Sequence, residues 1–266
     1  MKILHLSWMA FFITFMVWFN HAPLLAVIAD SLGLSSSEIK TLLILNVALT
    51  IPARVIIGML TDKYGPRLTF AVLLAVCSVP CFMFALAQNF EQAAISRFLL
   101  GFIGAGFVIG IRMVSEWFPA HELGTAEGLY GGWGNFGSAA AAMSLPMLAL
   151  FIGDTFGVEE AWRYSVALTG LLSLIFSFIW YANVTDTPKG ATYFKPKQTG
   201  AMEVTSVSDF YLLLIMKLPM YGALALLTWK LSPEGVSLLS SNMAIAAYVG
   251  LVVLFIVEVR KTYQIN

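Results

Sequence analysis

Thr50, Arg54, Gly58 and Thr61 follow one another at intervals of four, four and three residues in "NVALTIPARVIIGMLTDKYGPR". At that spacing they share one helix face. Arg54 has apolar neighbours on both sides, and inserting a guanidinium there costs ~2.5–3.5 kcal/mol on translocon scales. Asp62, the nearest charge towards one end, lies ~12 Å away along a helix. Arg54 therefore snorkels towards that end, joins a structural ion pair, or faces an aqueous cavity. The polar stripe favours a protein interior or a cavity. Pro52 also frees the carbonyl of Ala48, leaving a kinkable helix with a spare acceptor. A planar fork of five donors suits a planar oxyanion such as nitrate, nitrite or a carboxylate.

A second stretch, "GGWGNFGSAAAAM" at 131–143, replaces the expected leucines with glycine, alanine and one amide. Projected as a helix, Gly128, Gly131, Gly132, Asn135, Ala139 and Ala142 form a narrow stripe, while Gly134 and Gly137 thin the opposite face. Small residues let membrane helices approach closely. Asn135 either bonds across to a neighbouring helix or contacts a small ligand on a face where backbone is bare.

These residues need a membrane to sit in. The chain has 266 residues, 59% hydrophobic and 11% charged, where soluble domains carry about 25% charged residues. Its formal net charge of zero gives no reason to expect a nucleic acid partner. Apolar runs long enough to cross a bilayer occupy about 6–29, 38–61, 68–87, 92–115, 124–152, 164–184, 208–229 and 238–259. The fold class expected is an all-α, polytopic membrane protein. The first run is too long and aromatic for a cleaved signal segment. Cys77 and Cys81 read as packing residues.

Basic residues set the orientation. With the N-terminus in the cytoplasm, inside segments hold Lys2, Lys63, Arg67, Lys189, Lys195, Lys197, Arg260 and Lys261. Outside segments receive Lys40, Arg97, Arg163 and Lys230, mixed with seven acidic residues (Asp30, Glu38, Glu91, Asp154, Glu159, Glu160 and Glu234). Both termini are then cytoplasmic, in a cell inner (plasma) membrane. The one long polar stretch, 185–207, carries Pro188, Gly190, Pro196 and Gly200 and reads as a loop. It divides the chain into a six-helix block (1–184) and a two-helix hairpin (208–266).

"GMLTDKYGPR", Gly58 to Arg67, resembles the G-x-L-x-D-[KR]-x-G-x-[KR] loop that the major facilitator superfamily carries between its second and third helices. The expected roles are close helix contact at Gly58, a charge or helix-end partner for Asp62, a tight turn at Gly65 and a basic end at Arg67. Arg112 is a candidate partner for Asp62, with a solvated surface charge as the alternative. The resemblance implies that this loop gates or stabilises one conformer.

Within that superfamily, "AEGLYGGWGNFGSAAAAM" resembles the glycine-rich fifth-helix signature of the nitrate/nitrite porter family. "FITFMVWFNHAPLL", "IPARVIIGMLTDKYGPR" and "SRFLLGFIGAGFVIG" are similar to its first, second and fourth helices. The resemblance covers roughly residues 6–200. It implies a major-facilitator-type six-helix N-terminal half and transport of nitrate or nitrite by alternating access. Arg54 would be the nitrate arginine, with Asn135 in or beside the site and Phe107 the aromatic packed on the flat anion. Gly131 and Gly134 would allow close backbone approach. A transporter of another small anion, such as a carboxylate, and a non-transporting sensor or assembly protein are the rival readings.

The departures concern completeness. The family has twelve helices and a second arginine and signature in its C-terminal half, and neither is found here. The last two runs read as a hairpin inserted between halves, with Lys217 the only cation well inside one. The expectation is a missing C-terminal half or a second chain that completes the site; a self-contained dimerising protein is the third possibility. His21, between Asn20 and Pro23, is a candidate for proton coupling; the plainer expectation is a neutral ring bonded to a carbonyl that Pro23 frees. No nucleophile–base pair, metal cluster or phosphate loop is visible, so neither an enzyme nor a cofactor is expected.

Overall fold

The computed structural model describes residues 1–195, 204 and 206–265. Pro196, Lys197 and Gly200 of the expected loop lie outside the described residues. Among the described residues every regular element is helical: α1 Lys2–Phe19, α2 Leu25–Leu32, α3 Ser36–Ala48, α4 Thr50–Tyr64, α5 Pro66–Ala85 and α6 Phe90–Leu100. There follow α7 Gly106–Trp117, α8 Ala120–Phe156, α9 Ala161–Asn183, α10 Val207–Leu231 and α11 Ser241–Ile265. Several join into longer rods, giving eight helical stretches long and apolar enough to cross a membrane. Each matches one of the eight apolar runs.

The chain divides into two compact units, Met1–Lys195 and Pro196–Asn266. Three rods of the first unit are broken, each for a local reason. A 3-10 turn with Pro at its start, Ala22–Leu24, separates α1 from α2. Pro52 cannot donate to Ala48, and α3 gives way to α4 at Leu49. The glycine-rich "GFIGA" of 101–105 is a 3-10 segment between α6 and α7. Two of these breaks meet, because a methyl group on Gly101 would stand 3.3 Å from Leu49 Cβ and 3.4 Å from the Asn46 carbonyl. Arg54 lies five residues after the first of these meeting breaks and Phe107 two residues after the second.

Packing in this unit is led by α1 against α8 and α5 against α9. Gly134 and Gly137 make the first contact possible: a methyl on Gly134 would overlap the Phe11 ring, and one on Gly137 the Phe12 carbonyl. Phe11, Tyr130, Leu4, Val114 and Ala126 form the buried cluster there. The other side of α8 is bare. Nothing lies within 4 Å of a methyl placed on Gly128, Gly131 or Gly132.

The GMLTDKYGPR loop is held by its neighbours. Gly65 adopts φ +88, and the Asp186 carboxylate fills the space where its side chain would be. Asp186 accepts from the Arg67 backbone N–H at 2.7 Å, capping the start of α5. Arg67 Nε donates to the Tyr181 carbonyl at 2.9 Å, and Trp180 Nε1 donates back to the Arg67 carbonyl at 3.0 Å. Gly58 makes no close helix contact; the space beside it is open, which corrects the expectation for that residue.

In the second unit, α10 and α11 pair as a hairpin. Lys217 Nζ lies 3.5 Å from Glu258, Tyr221 donates to the same carboxylate at 2.8 Å, and Lys217 also reaches Thr262 at 3.2 Å. A cation and an anion among apolar helices thus satisfy each other.

Candidate functional site

Arg54 projects from the second turn of α4 and is half-buried. Its guanidinium carbon lies 5.5 Å from the centroid of the Phe107 ring, within cation–π range. Arg54 Nε is buried without a partner, as is the Thr50 hydroxyl one turn earlier. Among the described residues no carboxylate or carbonyl takes a hydrogen bond from Arg54. Ion pairing and snorkelling to Asp62 are both set aside by this geometry. What remains is an unpaired cation in a membrane-spanning helix, laid near an aromatic face.

Phe107 is itself fixed. Its ring stacks with Tyr130 at 6.3 Å and tilts against Phe11 at 5.4 Å. Tyr130 is fully buried and donates to the carbonyls of Gly106 and Phe107 at 3.2 and 3.1 Å. A methyl on Gly110 would overlap the Tyr130 ring. The α1–α8 packing therefore sets the surface on which Arg54 rests.

Asn135 lies on the bare side of α8 and is exposed, its amide donating to the Gly131 carbonyl at 2.7 Å. Its carbonyl oxygen has no protein partner among the described residues. Gly131 shares this open face, whereas Gly134 is buried against Phe11. Gly134 is corrected to a helix-packing residue: a stripe that touches α1 cannot also touch a ligand.

Towards the GMLTDKYGPR end, Arg112 Nε is 3.8 Å from Asp62 and its Nη2 is 2.9 Å from Glu116. Arg112 also donates to the Phe194 carbonyl at 2.9 Å, and Tyr193 donates to the Thr61 carbonyl at 2.8 Å. Burial pushes the Tyr193 phenol up, against the opposing pull of Arg112. The loop after α9 is thus strapped across the ends of α4 and α7. Sequence reasoning missed Asp186 and Tyr193, since neither stands in a recognisable motif.

Two further residues need correction. His21 is 1% exposed and stands edge-on to Phe84, 6.4 Å away. Neither ring nitrogen has a partner among the described residues. The expected bond to a freed carbonyl is not made, because the ring points into the bundle and not back along its own helix. Arg97, assigned to an outside segment, is fully buried in α6. It donates to Asn20 at 2.9 Å, to the Trp18 carbonyl at 2.5 Å and to Asn46. The signal was present: the apolar run 92–115 already encloses it.

The family model for the Major Facilitator Superfamily matches residues 7–260. The chain belongs to the Major Facilitator Superfamily. It is 46% identical over 265 residues to a nitrate/nitrite transporter NrtP of Nostoc punctiforme, covering 100% of this chain and 53% of that protein. It is 44% identical over 285 residues to the NrtP of Picosynechococcus, with the same two coverages, 100% and 53%. A high-affinity nitrate transporter 2.3 of Oryza sativa is 32% identical over 212 residues, 79% of this chain and 40% of that protein. The resemblance to the nitrate/nitrite porter family is borne out by these relatives. The chain spans about half the length of the curated relatives it matches. Among solved structures, a bacterial homologue of the human lysosomal transporter Spinster, inward-facing and unoccupied, gives a TM-score of 0.59. The match has 16% identity and covers 85% of this chain and 50% of that one; it speaks for the helical transporter fold alone.

Proposed function

We propose that this chain forms the N-terminal half-site of a transporter that moves nitrate and/or nitrite across a cell inner (plasma) membrane by alternating access. The observation that carries the reading is Arg54, a half-buried membrane cation left unpaired beside Phe107. Such a group is costly unless an anion visits it. Its planar fork takes two oxygens of a planar oxyanion, and the Phe107 face offers a flat surface alongside. Asn135 and Gly131 lie on a bare helix face suited to close approach.

The site is open on that face, and we propose that further helices complete it, from a C-terminal half or from a second chain. Residues 1–184 then form the transporter half, 185–207 a cytoplasmic loop and 208–266 a two-helix hairpin inserted before the C-terminal half. The distribution of basic residues supports cytoplasmic termini. Gating falls to the Asp62–Arg112 pair with Gly65 and Arg67, since this cluster ties α4, α7 and the loop strap at one end. His21 is the one candidate for proton coupling in the first span.

Competition decides between oxyanions. With labelled nitrate as substrate in proteoliposomes holding the full transporter, nitrite should compete while formate and oxalate should not. Effective competition by oxalate with little nitrate uptake would make the chain part of a carboxylate transporter.

A further inference from the structure

Four of the six buried side-chain atoms that lack a partner among the described residues belong to three side chains packed near a single ring, Phe84. They are Nδ1 and Nε2 of His21, Nε of Arg97 and Nε1 of Trp162. The Arg97 guanidinium is 4.9 Å from the Phe84 centroid, the Trp162 ring 6.1 Å and the His21 ring 6.4 Å. All three side chains are at most 1% exposed. Native interiors hold few unsatisfied polar groups, and such a concentration calls for a partner that is not protein.

Charge narrows the choice. Arg97 bonds only to neutral acceptors, those of Asn20, Asn46 and Trp18. No ion pair reaches it among the described residues. Its neighbour Arg163 is treated differently: Glu160 answers it at 2.8 Å. A buried guanidinium with no counter-ion is strongly disfavoured. At least three of the four unfilled groups are donors. Arginine Nε–H and indole N–H can only donate, and every imidazole form supplies at least one N–H. Water would fill the donors and leave the charge unanswered; an anion does both.

We propose that a small inorganic monoanion of the halide class binds beside Phe84, held by Arg97, Trp162 and His21. Phe84 ends α5, so this site lies at the end of the block opposite the GMLTDKYGPR loop. It does not involve Arg54 and does not depend on the identity of the transported substrate. The anion there acts as a resident counter-ion joining α5, α6, α9 and the break in the first rod.

The test is a titration of the purified full transporter with sodium bromide or chloride against sodium gluconate at fixed ionic strength, reading the unfolding temperature. The site predicts a saturable rise with halide that survives Arg54→Gln. In Trp162→Phe the half-saturating concentration should rise about tenfold, the worth of one hydrogen bond to a charged group. No halide dependence would mean that water alone fills the space and would overturn the site. So would a dependence lost in Arg54→Gln or unchanged in Trp162→Phe. Should Trp162→Phe fail to fold, anomalous scattering from a bromide-soaked crystal of the unmutated protein decides: density beside Phe84 supports the site, and its absence refutes it.

Discussion

Arginines in this chain differ less in chemistry than in what answers them. Arg163 has Glu160 and the carbonyls of Ala85 and Ala87; Arg67 has the Tyr181 carbonyl and ring; Arg112 has Glu116, with Asp62 farther off. Arg54 has only Phe107 and an unpartnered Thr50 nearby. Sequence could see that Arg54 was isolated, because isolation is a matter of neighbours along one helix. It could not see what answers Arg97: the run 92–115 encloses that residue, but its acceptors Asn20 and Asn46 come from other helical stretches. Glu160 offers a check at this scale. The Arg163 guanidinium, and then the Ser31 hydroxyl, hold its carboxyl below the ordinary carboxylate range. A depressed folded-state pKa contributes stability above the ordinary value of about 4.3, and the contribution disappears as pH falls through the depressed value. Glu160→Gln should therefore lower the unfolding temperature slightly at neutral pH, with the difference from the unmutated chain shrinking in acid. The Glu160 side chain is about half open to solvent, so the effect is small.

Helices carry the next set of consequences. The eight spans were legible because length and apolar content alone decide what can cross a bilayer, and Pro52 announced the break before α4. The two faces of α8 were legible as stripes, but their assignment was not. Glycines that admit a neighbouring ring and glycines that remain bare look alike in sequence. Gly134→Ala should drive a methyl into Phe11 and destabilise the α1–α8 contact by about 1–3 kcal/mol. Gly131→Ala, with open space around it, should leave the unfolding temperature in detergent within about a degree while lowering transport if this face meets the anion. Equal melting of both variants would show that α8 packs in another register. In the hairpin, Lys217→Leu strands Glu258 among apolar helices, and should destabilise α10–α11 more than the double change Lys217→Leu with Glu258→Leu. Thermal melts of the single and double variants provide the comparison.

At the level of the whole molecule, the proposed half-site has two sides that are unequally finished. One side is packed: Tyr130, Phe11 and Phe107 hold the surface under Arg54. The other is the bare glycine face of α8. Motif resemblance pointed to both, since the arginine helix and the glycine signature are strings of adjacent residues. The strap of Tyr193, Phe194 and Asp186 went unseen, because it depends on a loop folding back over α4 and α7. The account stands or falls on the anion meeting Arg54. Labelled-nitrate uptake into proteoliposomes holding the full transporter should be compared for the unmutated protein and Arg54→Lys, with equal insertion verified. Lysine keeps the charge but loses the planar fork, so uptake should fall about tenfold to a hundredfold, the range for losing a hydrogen bond to a charged group. Uptake unchanged in Arg54→Lys would contradict the assignment of Arg54 as the nitrate-binding residue.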